Sequence, residues 1–276
     1  MKRNVIIRIV IYSLVLILLL AGLAIGLSAG MFMFNPVRSS EGNQVSSGSV
    51  AAEGIRNLDI EWASGNIMIE RDDTDAISFW EIGSGDANPL VYLQNGNTLS
   101  IKYEQQNSLF GFSSTANKDL IITVPVDWMC HELSVDAASA NLSVTSLTIN
   151  EVDLDLASGN CTFTDSVVDE LSLDCASGNI EFSGTLNTLD CDTASGSVTA
   201  VLNAVPKRID FDGASADLDL TLPDGAGFSV SLDSVSGNFY SDFETAKQGS
   251  RYICGDGTCQ IDVDGVSGDI IIRKGK

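Results

Sequence analysis

The strongest constraint on this chain is a short phrase that keeps returning. Residues 154–163 read LDLASGNCTF, and residues 173–182 read LDCASGNIEF. Anchored on its serine, the phrase recurs at Ser64, Ser139, Ser158, Ser177, Ser195, Ser215, Ser236 and Ser267. From Ser139 to Ser236 the steps are 19, 19, 18, 20 and 21 residues, with longer steps of 75 before and 31 after. A fixed period of this length marks a repeat architecture, in which each unit is too small to bury its own apolar face and relies on its neighbours.

Reading down the copies gives the local structure. Four residues before each serine stand Ile60, Val135, Leu154, Leu173, Cys191, Phe211, Leu232 and Val263. One position later every copy is acidic: Glu61, Asp136, Asp155, Asp174, Asp192, Asp212, Asp233 and Asp264. Three after the serine come Ile67, Leu142, Cys161, Ile180, Val198, Leu218, Phe239 and Ile270, and the fifth position after it is again mostly apolar. Apolar residues alternating with polar ones have a period of two, the pattern of a half-buried strand. Each copy is therefore strand, tight Ser-Gly-Asn corner, strand, although Ala140 and Ala216 replace the glycine in two copies.

Stacking such units at about 4.8 Å buries equivalent apolar columns against one another. The expected fold is all-β: a parallel β-solenoid (β-helix-like) of about 19–20-residue strand–turn–strand coils. An antiparallel sandwich is the alternative, but a sandwich does not need one corner repeated at a fixed period. The segments outside the array predict β-hairpin caps. LVYLQNGNTLSIKY centres on Asn95-Gly96, and RYICGDGTCQIDV centres on Asp256-Gly257.

The N-terminus has a different character. From Ile9 to Phe34 no residue is charged, and Lys2, Arg3 and Arg8 precede the run. At about 1.5 Å per residue the run exceeds the roughly 30 Å hydrocarbon core of a bilayer. The expected organisation is a cytoplasmic tail over 1–8, a transmembrane signal anchor over 9–34, a flexible Ser/Gly-rich linker over 35–54 and an extracellular repeat domain over 55–276. Cleavage as a signal peptide, at Ser28-Ala29-Gly30, is the competing reading.

Charge narrows the partners. The whole chain carries −22; setting aside Lys2, Arg3, Arg8 and Arg38 leaves 11 basic against 37 acidic residues, or −26, on residues 39–276. Such a surface repels nucleic-acid phosphates and suits a basic partner or cation-rich surroundings.

Six cysteines in an exported chain permit disulfides. A two-residue turn at Asp256-Gly257 would set Cys254 opposite Cys259, so a Cys254–Cys259 bond is expected. Cys161, Cys175 and Cys191 fall in inward columns and read as buried thiols, with a diagonal Cys175–Cys191 bond open; the partner of Cys130 is also open.

The acidic column Asp136, Asp155, Asp174, Asp192, Asp212, Asp233, Asp264 has three readings. In the first, each carboxylate caps its own Ser-Gly-Asn corner. In the second, the ladder binds Ca²⁺, although the nine-residue GGxGxDxUx repeat of known calcium ladders is absent. In the third, some of these acids are catalytic. A glycosidase needs two acids at a defined separation in a cleft, and this array is uniform. His131 is the single histidine and no GxSxG occurs, so no enzyme activity and no cofactor are expected.

The run VPVDWMCHELSVDAASANLSV, the repeated DxASGN units and GDGTCQIDVDGVSGDIIIR together resemble a bacterial domain-of-unknown-function family of candidate adhesins with β-strand (SGD/SGN) repeats. The resemblance spans roughly residues 55–273 and implies the repeat fold and an envelope location. It transfers no catalytic or ligand residue. The function expected is that of a non-enzymatic protein, held in the bacterial cell membrane by one span, that presents its acidic extracellular repeats to a protein or glycan. An envelope-stress sensor or regulator binding cationic peptides or a membrane partner is the alternative. A polysaccharide-active enzyme is the third class.

Overall fold

A computed structural model describes residues 43–83, 89–103 and 117–275. The expected tail, membrane helix and first part of the linker fall outside the described residues. Within them the chain is strand and turn, with no helix. The strands are β1 (Asn43–Val45), β2 (Ser47–Ala51), β3 (Asn57–Asp72), β4 (Ala76–Gly83), β5 (Leu90–Asn95), β6 (Thr98–Lys102), β7 (Lys118–Pro125), β8 (Cys130–Thr145) and β9 (Thr148–Ser158). They continue as β10 (Cys161–Leu202), β11 (Arg208–Leu222), β12 (Phe228–Ser234), β13 (Phe239–Ser241), β14 (Ala246–Gln248), β15 (Arg251–Cys254), β16 (Cys259–Ser267) and β17 (Ile270–Lys274). Among the described residues, strand pairing is already present at Asn43, inside the stretch read as a tether.

The repeats stack rung over rung in parallel register. Ser64 lies opposite Ser139, Ser139 opposite Ser158, Ser158 opposite Ser177, Ser195 opposite Ser215 and Ser215 opposite Ser267. The apolar columns meet likewise, as in Val135↔Leu154, Leu154↔Leu173 and Cys191↔Phe211. The result is a solenoid-like sheet wrapped around one continuous core, which includes Ile60, Ile69, Val144, Phe163, Phe211 and Ile272, each at most 1% exposed. Phe163 and Phe182 stack within it at 5.7 Å between ring centroids.

The corners bind one another through a side-chain ladder. The Asn160 backbone N–H donates to Asn141 Oδ1 at 3.0 Å, and the Asn179 N–H donates to Asn160 Oδ1 at 3.0 Å. Ser197 Oγ continues the series by donating to Asn179 Oδ1, and the Asp269 N–H does so to Asp217 Oδ1 at 2.7 Å. The amides of Asn160, Asn179 and Asp269, bent out of the regular sheet bonding, thereby gain an acceptor from a neighbouring rung.

At both ends the spatial order of rungs departs from the order of the chain. The rung of β6 and β7 packs on the outer side of β3, while β8 packs on its inner side. The hairpin expected at Asn95-Gly96 is present as β5–β6, and β4 and β5 cover the end, edged by β2 and β1. At the other end the last rung, β16–β17, does not follow β12–β13 outward. It inserts between β11 and β12–β13, with parallel pairing on both sides. Its inward residues Ile261, Ile270 and Ile272 are at most 1% exposed, whereas the β12–β13 rung offers Ser241 where the other rungs carry an apolar side chain. The more apolar rung takes the site with neighbours on both sides, where burial stabilises most.

This order removes the expected Cys254–Cys259 bond. β15 and β16 are not hairpin partners; they flank β12, so Cys254 and Cys259 both lie opposite Phe228, on its two sides. Two strand spacings of about 4.8 Å put them beyond the roughly 7 Å Cα reach of a disulfide. All six cysteines are free and buried, Cys175 and Cys191 among them, and burial pushes the Cys161 and Cys259 thiols up to about 12.

Candidate acidic face

The alternation that buries the apolar columns forces the intervening residues outward on the strand before each corner. The predicted column is assembled as read: Asp136↔Asp155, Asp155↔Asp174, Asp192↔Asp212, Asp212↔Asp264 and Asp264↔Asp233 are register partners. Glu61 extends it next to Asp136, and Lys102, at the end rung, pairs with Glu61.

Two further acidic columns lie beside the first. Asp59, Asp153, Asp190, Asp210 and Asp262 fall in the column two residues earlier, where Ser134 and Ser172 stand on either side of Asp153, and Glu132, Glu151 and Glu170 form the column before that. The signal for the second column was present as Asp-x-Asp before the corners, at Asp153-Leu154-Asp155, Asp190-Cys191-Asp192, Asp210-Phe211-Asp212 and Asp262-Val263-Asp264. On the four rungs of Ser139, Ser158, Ser177 and Ser195 the face carries Glu132, Asp136, Glu151, Asp153, Asp155, Glu170, Asp174, Asp190 and Asp192. No lysine or arginine stands anywhere from Asp119 to Pro206 to neutralise them. The strand after each corner is different: in the same rungs its outward residues are Ser143, Thr145, Thr162, Thr164, Glu181, Ser183, Thr199 and Val201, with a single carboxylate.

Stacked carboxylates resist full ionisation. Partial burial, then the neighbouring Asp155 and Glu61, raises Asp136 to about 6. Burial and the charges of Asp174 and Asp190 raise Asp192 to about 6, and burial with Asp192 and Asp264 raises Asp212 to about 7. Asp155, Asp174 and Asp264 are shifted in the same direction, again chiefly by burial.

The capping reading of the column is not what the structure forms. None of the carboxylates of Asp136, Asp155, Asp174, Asp192, Asp212, Asp233 and Asp264 bonds its own corner; the amides of Asn160, Asn179, Asn238 and Asp269 are instead satisfied by Asn141, Asn160, Asp269 and Asp217 of neighbouring rungs. Among the described residues no three His, Cys, Asp or Glu side chains converge as a metal cage requires. The corner serines bond each other, as in Ser215 Oγ to Ser267 Oγ at 3.0 Å, while His131 is exposed near the start of β8.

One polar cluster had no signal in the repeats. Lys118, 1% exposed, places Nζ 3.0 Å from Glu81 Oε2 and 4.4 Å from the centroid of the Tyr103 ring. Trp62 Nε1 donates to the Lys118 carbonyl at 2.8 Å, and Trp62 meets Tyr103 edge-on. Four segments distant in sequence are thereby pinned at the end of the core.

The family described as Toastrack DUF4097 matches the chain over residues 55–198 and 183–273. A comparison with curated proteins finds no match. Among solved structures, a candidate cell adhesion protein from Clostridium sporogenes is 11% identical, with 85% of this chain and 100% of that one covered and a TM-score of 0.40. A candidate adhesin from Bacteroides fragilis is 12% identical, covering 82% of this chain and 95% of that one at a TM-score of 0.44. A candidate lipid-binding protein from Parabacteroides distasonis is 16% identical, covering 83% and 96% at 0.43.

Proposed function

The chain belongs to the Toastrack DUF4097 family, and from that premise we propose that it is a non-enzymatic cell-envelope protein, anchored by its N-terminal segment, whose acidic face binds a cationic partner. The observation that carries this reading is the arrangement of charge: two acidic columns in register with Asp153 and Asp190 between them, on four central rungs whose own sequence holds no lysine or arginine. Register sets Asp136, Asp155 and Asp174, and Glu132, Glu151 and Glu170, on adjacent rungs about 4.8 Å apart along the stack, a spacing that an extended Lys- or Arg-rich segment can follow. A regular, one-sign face gathers opposite charge from a distance and speeds encounter more than it fixes one tight pose. Adhesion to a basic protein surface and sensing of cationic peptides would both use this face.

The test is binding of a labelled oligolysine peptide to the full-length chain at rising salt. Affinity should fall steeply as the Debye length contracts from about 10 Å at 0.1 M to about 3 Å at 1 M. Replacing Asp155, Asp174 and Asp192 by Asn should weaken capture, and the same substitutions should leave a neutral control peptide unaffected. Binding that ignores both salt and these substitutions would remove the acidic face as the site. Turnover of an envelope polysaccharide would overturn the non-enzymatic reading.

A further inference from the structure

The segment Cys259–Lys274 fills a slot between two parts of the chain that precede it. On one side Phe211 meets Val263 and Leu220 meets Ile272; on the other Val230 meets Ile261 and Phe239 meets Ile270. Every ladder bond of this rung runs to a segment remote in sequence, and none joins β16 to β17. Contacts of that kind are identical whether the rung comes from the same chain or from another copy.

The covalent link is short. β15 ends at Cys254 and β16 begins at Cys259, so residues 255–258 alone carry the chain across the end of β12. This loop is held by the Gly257 N–H on the Cys254 carbonyl and by the Cys259 N–H on the Gly227 carbonyl, both at 3.1 Å, with Gly255 and Gly257 at φ 56° and 67°. A tight loop joining a remote-contact segment is the geometry from which reciprocal exchange arises, because opening the loop loses little and restores every other contact in the partner. Until the rung docks, β11 and β12 each present a bare strand edge to the same slot.

We propose that Cys259–Lys274 is an exchangeable rung, and that the slot between β11 and β12–β13 accepts the same segment from a second copy of this chain, giving a two-fold dimer. The exchange goes beyond the cationic-partner reading and does not depend on it.

The test uses two differently tagged full-length chains, one with Ser215→Cys and one with Ser267→Cys, positions whose hydroxyls lie 3.0 Å apart. The chains are unfolded together, refolded under reductant at high concentration and then oxidised. A disulfide between the two tags forms when the rung of one copy occupies the slot of the other. The expected yield is several-fold above that of Ser215→Cys mixed with Ser139→Cys, whose corner is on a distant rung. The doubly substituted chain, refolded dilute and oxidised, should bridge within itself and stay monomeric. The unsubstituted chain supplies a second measurement: its dimer fraction by light scattering should rise with refolding concentration and persist after dilution. A mixed bridge no more frequent than the control, or a dimer that dissolves at once on dilution, would overturn the proposal.

Discussion

Replacing Gly178 by Ala tests the stacked corners most directly. Gly178 sits at φ 156°, and a Cβ built there would lie 1.8 Å from the carbonyl oxygen of Gly159 on the adjacent rung. That is far inside any contact a real Cβ makes, and the obstacle is backbone, so one corner must retreat. Retreat breaks the Asn179 N–H bond to Asn160 Oδ1 and strains the Gly159 N–H bond to the Ser177 carbonyl, now 3.0 and 3.2 Å. Two hydrogen bonds at about 1 kcal/mol each, plus about 1–2 kcal/mol for an L-residue at positive φ, give a loss of about 3–4 kcal/mol. For a domain of this size that lowers Tm by about 6–16 °C. Gly54 is the internal control: its φ is 91°, but nothing lies within 4 Å of its would-be Cβ. Gly54→Ala should therefore lose only the backbone component, about 1–2 kcal/mol. Urea titrations of both variants measure the difference. Equal losses, or a Gly178→Ala loss under about 1 kcal/mol, would refute the reading that adjacent corners stack in direct backbone contact.

Three further outcomes are expected. Because the folded pKa values of Asp136 and Asp192 stand at about 6 and that of Asp212 at about 7, above their ordinary value of 3.8, the charged column opposes folding at pH 8. That opposition is withdrawn as pH falls through 7 toward 4, so stability by urea titration should rise on acidification to pH 5; partial exposure screens the gain to about 1–2 kcal/mol, and Asp192→Asn with Asp212→Asn should flatten the profile. All six thiols are buried, so a water-soluble thiol reagent should leave them unmodified in the native chain and modify all of them in denaturant, while a reductant leaves Tm unchanged. Lys118→Met strands the Glu81 carboxylate in the core and should cost about 3–5 kcal/mol, whereas the double change with Glu81→Leu should recover most of it, read in a double-mutant cycle.

The repeating columns made the register legible from sequence, since aligning Ser158 with Ser177 also aligns Leu154 with Leu173 and Asp155 with Asp174. The same regularity hid the order of the rungs. Leu232 and Val263 offer Phe211 the same kind of neighbour, so nothing in the pattern decides whether the Ser236 or the Ser267 rung stacks on Ser215. That choice rests on small differences in burial, such as Ser241 against Ile272, and on the β14–β15 hairpin that occupies the outer edge. The error over Cys254 and Cys259 followed directly: Asp256-Gly257 does turn the chain, but around the end of β12 instead of into a hairpin. The acidic column was readable as a column, while its bonding was not. The side chains of Asn141 and Asn160, each 19 residues earlier on the preceding rung, satisfy the amides of Asn160 and Asn179 that the aspartates were expected to reach. The Lys118–Glu81 pair lies outside the repeats and leaves no periodic trace.

The uneven dress of the two strands in each rung has an orientational consequence. Nine carboxylates line one flank of the four central rungs and one lines the other, so the rod carries a transverse dipole perpendicular to its stacking axis. Near any polyanion, that dipole exerts a torque that rolls the rod until the hydroxyl-bearing flank of Ser143, Thr145, Thr162 and Thr164 faces inward and the carboxylates face away. Close to a negatively charged neighbour the molecule would thus travel with a preferred side leading, and the flank that does the touching would be the uncharged one.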